Sequence, residues 1–251
     1  KGPLTSGQST DDVRPTFSGQ GEAGATITLF DNGKQIGTTK VSADGSWSFT
    51  PGSNLSEGIH NITVKATDAA GNTSPASAGF TVIVDITPPA APTAAIVNDQ
   101  SGSVVGVVQN GQSTDENQPV LTGTGVPGSK LTIYDNNVVV GNVTVLQNGT
   151  WSFKPTAPLN EGSHTITVRE SDAAGNLSQP STPITFIVDT TPPEAPTLDP
   201  MAPEGIFVTG KAEANSTVFI YSGTTLLGQA TAGADGTFSV RLSSAQTDGQ
   251  Q

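Results

Sequence analysis

This sequence predicts an all-β chain of tandem sandwich modules, and three observations carry that expectation. First, the chain repeats itself: Ser9–Thr93 aligns without a gap on Ser113–Thr197, so that Asp11 falls on Asp115 and Asp85 on Asp189. A third, partial copy follows, in which Asp235-Gly236-Thr237-Phe238 matches Asp44-Gly45-Ser46-Trp47. Tandem copies of this size mean an array of modules. Second, 29 Gly and 18 Pro accompany many Ser, Thr and Asn, while only 13% of residues are charged, a balance that favours short strands joined by turns over helices. Third, short runs rich in Val, Ile, Thr and Phe alternate with Gly, Asn and Asp turn formers.

In the first copy the runs fall at Thr16–Gly19, Thr26–Phe30, Gln35–Val41, Ser46–Thr50, His60–Thr67 and Phe80–Asp85. Between them stand Glu22-Ala23-Gly24, Asp31-Asn32-Gly33, Ala43-Asp44-Gly45 and Asn54–Gly58, which supply the positive-φ and side-chain-capped positions of turns. The second copy gives Leu121, Leu131–Tyr134, Val138–Val145, Thr150–Lys154, His164–Ser171 and Ile184–Val188. With a first strand near Thr93–Asn98, each complete copy has seven short antiparallel strands, the pattern of an immunoglobulin-like β-sandwich. Trp47-Ser48-Phe49 and Trp151-Ser152-Phe153 put two large rings on one strand face, and in a chain only 5% aromatic that face is expected to be core. A sugar-stacking Trp is the functional alternative.

The expected modules are 1–86, with an incomplete first strand, 87–190, and 191–251, whose C-terminal strands are missing. Thr247-Asp248-Gly249 aligns with Ser56-Glu57-Gly58, so the sequence stops before the last two strands of its third copy. The connectors Val84-Asp85-Ile86-Thr87-Pro88-Pro89 and Val188-Asp189-Thr190-Thr191-Pro192-Pro193 carry paired prolines, which favour a stiff polyproline spacing and hence an extended rod.

Composition excludes several functions. A net charge of −12 lacks the basic footprint of a nucleic-acid binder and repels an anionic membrane surface. No apolar run reaches membrane-spanning length, and the N-terminus has no signal pattern, so the chain reads as a monomeric fragment from inside a longer protein. It has no Cys, which suits a bacterial surface protein stabilised by metal ions in place of disulfides. Catalysis is not expected. The 2 histidines, His60 and His164, begin the same strand of successive copies and are expected at the surface or an edge. No nucleophile and base converge with an orienting group, and no Gly-rich phosphate loop opens a helix.

Carboxylates are the candidate functional groups. Strand direction delivers Asp11, Asp12 and Asp85 to the downstream end of the first module. The Asp172-Ala173-Ala174-Gly175-Asn176 loop lies at the upstream end of the second, as its copy from Asp68 to Asn72 does in the first. Stacked end to end, the modules bring Asp11, Asp12 and Asp85 toward Asp172 and Asn176. By the same logic Asp115, Glu116 and Asp189 face the third module. Carboxylates meeting at a junction repel unless a cation joins them. Calcium is the expected ion: it accepts about six to eight oxygens at about 2.3 to 2.6 Å, and no His or Cys lies in the cluster to favour zinc or copper. Asp31, Asp44 and Glu57, each beside a turn Gly or Asn, are expected to be ordinary turn residues.

The Asp-Ala-Ala-Gly-Asn loop, the Val-Asp-x-Thr-Pro-Pro connector, the Gly-Ser-Trp-Ser-Phe strand and the Leu-Ser-Glu-Gly-Ile-His-Asn-Ile-Thr-Val segment together resemble bacterial Ig-like repeats of giant non-fimbrial adhesins. The resemblance covers nearly the whole chain. It implies type I secretion, retention at the Gram-negative cell surface, calcium at domain junctions, and attachment of the full-length protein to host-cell glycans or receptors, or to biofilm matrix. The rival expectation is an accessory carbohydrate-binding or spacer array of a secreted polysaccharide-degrading enzyme.

Overall fold

A computed structural model of the chain describes residues 2–102, 105–200 and 206–242. Every regular element in it is a β-strand. The expectation on Thr247-Asp248-Gly249 lies outside the described residues. Contacts divide the chain into two compact units, Lys1–Asp189 and Thr190–Gln251.

The first unit holds both full copies of the repeat. The earlier copy comprises β1 (Ser9–Thr10), β2 (Phe17–Gln20), β3 (Thr26–Asp31), β4 (Lys34–Lys40), β5 (Ser46–Phe49), β6 (Gly58–Thr67) and β7 (Phe80–Val84). One sheet runs β1-β7-β6-β3-β4, and β2 pairs with β5 in the other. The later copy adds β8 (Ile96–Asp99) and β9 (Gly106–Val108), and then repeats the set as β10 (Ser113–Thr114), β11 (Val120–Thr124), β12 (Lys130–Asp135), β13 (Val138–Thr144), β14 (Thr150–Phe153), β15 (Gly162–Ser171) and β16 (Ile184–Val188). Its sheets are β10-β16-β15-β12-β13 and β14-β11-β8-β9. The two-residue strands β1, β9's short run and β10 escape any alternation argument, because two or three residues show no period.

Alternation explains the long strands. In β3, Ile27 and Leu29 point into the core and Thr26, Thr28 and Phe30 are only partly covered. Leu131 and Ile133 do the same in β12. The β3–β4 hairpin closes through Asn32 (φ 48°) and Gly33 (φ 82°), with Asp31 opposite Lys34, the two-residue turn that matches strand twist. Its copy closes through Asn136 and Asn137, at φ 48° and 67°.

Both tryptophans are core residues, with Trp47 9% and Trp151 2% exposed. Each ring lies across a glycine of the facing strand. A Cβ on Gly19 would sit 2.7 Å from Trp47 Cζ2, and one on Gly123 would sit 2.7 Å from Trp151 Cζ2. The Trp47 indole N–H donates to Gln20 O at 3.3 Å, whereas the Trp151 Nε1 is buried without an acceptor among the described residues. In the first copy Leu4 packs against the core in the place that Val108 of β9 takes in the second.

The second unit comprises β17 (Thr197–Leu198), β18 (Phe207–Lys211), β19 (Thr217–Ser222), β20 (Thr225–Thr231) and β21 (Thr237–Arg241). Its sheets are β17-β18-β21 and β19-β20. Phe238, in the tryptophan position, is buried with Val208, Val218 and Val240.

One expectation is corrected. His60 and His164 are not surface residues; they are 4% and 5% exposed. Each ring lies inside the downstream end of its module because Asp31 or Asp135, at the end of β3 or β12, offers a carboxylate at 2.7 Å. Asp31 therefore does more than begin a turn.

Candidate metal centre

The downstream end of the first module is assembled by a parallel bridge. Thr10 of β1 pairs with Val84 of β7, and the Asp85 N–H donates to Thr10 O at 2.9 Å. Asp11 and Asp12, which follow Thr10 directly, are thereby set beside Asp85. Asp12 caps its own turn: its N–H donates to Thr10 Oγ1 at 3.1 Å, and its Oδ1 accepts from the Arg14 N–H at 2.8 Å. Asp85 Oδ1 accepts from the Thr87 N–H at 3.1 Å, and the Thr87 hydroxyl donates to Glu57 Oε1 at 2.6 Å. The start of the connector is thus tied to the module it leaves.

The upstream end of the second module carries the loop from Asp172 to Asn176. Asp172 Oδ1 accepts from the N–H groups of Gly175 and Asn176, at 2.6 and 2.9 Å, and Oδ2 accepts from Asn176 Nδ2 at 2.8 Å. Burial pushes the Asp172 carboxyl up, but the donors from Asn176 and Gly175 outweigh it and hold the group below the usual carboxylate range. The copy in the first module is built alike, Asn72 donating through N and Nδ2 to the two oxygens of Asp68, both at 2.8 Å. There the Asn72 bonds, helped by the backbone N–H groups of Ala70 and Gly71, hold Asp68 below its ordinary value. Because β6 runs from Gly58, opposite Val84, to Thr67, the Asp68 loop lies at the other end of its module from Asp85.

The two ends meet. Asn176 Nδ2 donates to Asp85 O at 2.8 Å as well as to Asp172 Oδ2, so oxygens from two modules converge on one point. Five of the expected residues therefore come from segments that adjoin: Asp85, Asp172 and Asn176 through direct hydrogen bonds, Asp11 and Asp12 through the β1–β7 bridge. Among the described residues, no three His, Cys, Asp or Glu side chains gather as a metal-binding set. The donor chemistry nevertheless fits a hard cation. All the groups are carboxylate, carbonyl or amide, and the amide nitrogen stands between two acceptors as a cation would. A metal there requires the Asn176 amide turned to present its oxygen, a choice of orientation fixed by the hydrogen-bond network.

The downstream end of the second module follows the same plan, with Thr114 bridging Val188 and the Asp189 N–H donating to Thr114 O at 3.0 Å. Glu116 is held within its own module, accepting from the Gln100 N–H at 2.6 Å and from Lys154 Nζ at 3.3 Å. Gly102 packs directly against the Asp115 carboxylate. Sequence reasoning missed Asp99, which is buried and accepts from the Thr114 hydroxyl at 2.5 Å and the Ser101 N–H at 3.1 Å. The pairing of the first two copies offered no signal for it, since the first-copy position that would match it precedes Lys1.

Residues 2–86 and 90–190 match the family described as bacterial Ig-like domain, and residues 192–251 match the bacterial Ig domain. The chain belongs to the bacterial Ig-like domain family. Domains of this family are typically non-catalytic spacers. These bacterial Ig-like domains are 33% identical over 174 residues to exoglucanase B of Cellulomonas fimi, matching 68% of this chain but 15% of that protein's length. Among solved structures they are similar to the BSP domain of a biofilm associated protein, at 26% identity and TM-score 0.28, covering 73% of this chain and 29% of the other. They are also similar to a tetra-tandem repeat in the extending region of a large adhesion protein, at 21% identity and TM-score 0.31, covering 93% and 64%.

Proposed function

We propose that this chain is a stalk segment of a bacterial surface adhesin, displayed outside the cell and stiffened by calcium ions shared between successive modules. The observation that carries this reading is the Asn176 side chain joining Asp172 of one module to the Asp85 carbonyl of the module before it. Asp85, Asp172 and Asn176, with Asp11 and Asp12 alongside, would hold the ion. Asp68 and Asn72 would play the matching part upstream. Calcium supplies there the positive charge that a −12 chain otherwise lacks at its carboxylate clusters. An ion bound only when two modules are aligned stabilises the aligned arrangement over bent ones. Sites as weak as other extracellular calcium sites, about 0.1 to 1 mM, would fill only after export, whether by type I secretion or another route. The full-length protein would then hold its receptor- or glycan-binding part away from the cell.

Small-angle scattering tests this. The largest dimension should be greater and the profile stiffer in millimolar calcium than in EDTA, and superimposable curves would overturn the calcium part of the reading. In calorimetry, Asp85→Ser should abolish the heat assigned to the first junction while leaving the fold intact.

The exoglucanase match favours a second reading, an accessory array in a secreted polysaccharide-degrading enzyme. Both tryptophans are buried, so a sugar-stacking face built on Trp47 or Trp151 is not available and the array would serve as a spacer. Retention on a cellulose or glycan affinity gel, surviving in a folded Trp47→Phe variant, would support a sugar site elsewhere.

A further inference from the structure

The two buried histidines form a repeated arrangement that none of the function above uses. His60 Nδ1 lies 2.7 Å from Asp31 Oδ2, and Nε2 lies 2.8 Å from the carbonyl oxygen of Ser56. In the second module His164 Nδ1 lies 2.7 Å from Asp135 Oδ2 and Nε2 lies 2.8 Å from Asn160 O. A carbonyl oxygen can only accept, so Nε2 must carry a proton. An ionised carboxylate also accepts, so either Nδ1 carries a proton too or the carboxyl carries it and donates to Nδ1. A neutral imidazole beside an ionised carboxylate has a single N–H and would leave one of these buried pairs without its hydrogen. The site is complete only when imidazole and carboxylate together hold one proton beyond the neutral ring and the bare carboxylate.

The arrangement ties three elements at the downstream end of each module. The histidine is on β6 or β15, the carboxylate ends β3 or β12, and the carbonyl belongs to the loop that leads into the histidine's strand. In the first module the residue after Ser56 is Glu57, which accepts the Thr87 hydroxyl of the connector. We infer that His60–Asp31–Ser56, repeated as His164–Asp135–Asn160, is a proton-bearing clasp. Its deprotonation frees the loop at the module's downstream end and, in the first module, loosens the hold of Glu57 on the connector.

The charges around the clasp are few. From β3 comes Asp31 itself, and Lys34 of β4 stands opposite it in the hairpin. The loop contributes Glu57, Asp85 follows β7 at the same end, and β7 presents Val82 across from His60. In the second module the corresponding positions hold Asp135, Val138, Glu161 and Asp189, while Phe186 of β16 stacks on the His164 ring at 5.5 Å. Burial disfavours the charged His60 ring, but the Ser56 carbonyl and the Asp31 carboxylate outweigh it and raise the group above its ordinary value of 6.5. The modules differ in support: Asp135 Oδ1 accepts from the Thr165 N–H at 3.2 Å, whereas Asp31 Oδ1 is buried with no partner among the described residues. The first clasp therefore depends more heavily on its proton.

The test uses the whole chain in EDTA, so that the outcome is independent of the calcium reading. With 2 histidines in the sequence, imidazole nitrogen spectra give one set of signals per clasp. At pH 6 the Nε2 proton of His60 and the proton held between its Nδ1 and Asp31 should both be present and slow to exchange. As pH rises past 6.5, amide protection at Glu57, Gly58 and Thr87 should fall, by at most about tenfold per pH unit once the proton is lost. Asp31→Asn should move the His60 titration to lower pH and shift the loss of protection with it, leaving the His164 signals in place. If at pH 6 His60 is a neutral single tautomer while the Asp31 carboxyl is ionised, the inference fails. It fails equally if protection at these amides ignores the ring's titration. Because both readouts come from the unaltered protein, misfolding of Asp31→Asn would leave the inference exposed to test.

Discussion

Gly19 and Gly123 show how single residues set this core. Each permits an indole ring to lie flat across its strand, where a methyl group would stand 2.7 Å from Cζ2. Gly123→Ala should therefore destabilise the second module by about 1 to 3 kcal/mol through overpacking, measured by denaturant unfolding. An unchanged midpoint would mean that the ring has room to move. His60 gives a residue-scale prediction with a defined sign. Its folded value is raised, so its stabilisation is complete at and below the ordinary 6.5 and is lost as pH rises through the higher folded value. Thermal midpoints of the parent should accordingly drop relative to His60→Gln between pH 6 and the alkaline side of that transition. Parallel curves would remove the proton from the account.

Among elements, the hairpins discriminate between copies. Asn32-Gly33 and Asn136-Asn137 turn the chain at the same place, and the second central residue of the latter is an asparagine at φ 67°. Glycine adopts that conformation at no steric cost, so Asn137→Gly should stabilise the second module by roughly 0.5 kcal/mol. A loss of stability would show that the Asn137 side chain contributes something the backbone argument omits. The Asp-Ala-Ala-Gly-Asn loops are equally deliberate elements. Asp172 and Asp68 accept the same pair of Asn donors, and both carboxyls are held low. Their contribution is present above the ordinary carboxylate value of 3.8 and lost as pH falls through the lower folded values.

At the scale of the whole molecule, the first unit is two copies of one sandwich joined by a short connector, and the seam between them is polar. Asn176→Ala removes the side chain that touches both modules. It should leave the unfolding midpoint of each module nearly unchanged in EDTA, yet lower calcium affinity by about tenfold or more if the seam is the ion site. Calorimetry of the variant beside the parent decides this. Undiminished affinity would move the site elsewhere.

Much of the fold was legible because repetition and alternation are local properties. The strands of the first copy, the buried Trp positions and the turn at Asp31-Asn32-Gly33 follow from side-chain period and backbone freedom, which neighbouring residues alone determine. The meeting of Asp85 with the Asp172–Asn176 loop was also legible, since strand direction dictates which loops share an end. What only tertiary structure decided were the contacts between residues far apart in sequence. The burial of His60 and His164 depends on a carboxylate 29 residues away, and the anchoring of Glu116 on the Lys154 ammonium 38 residues away. Asp99 was hidden because the gapless alignment of the first two copies does not include its position. A polar side chain reads as a surface residue until its partner is placed, for burying it is favourable only when that partner satisfies every donor and acceptor it brings.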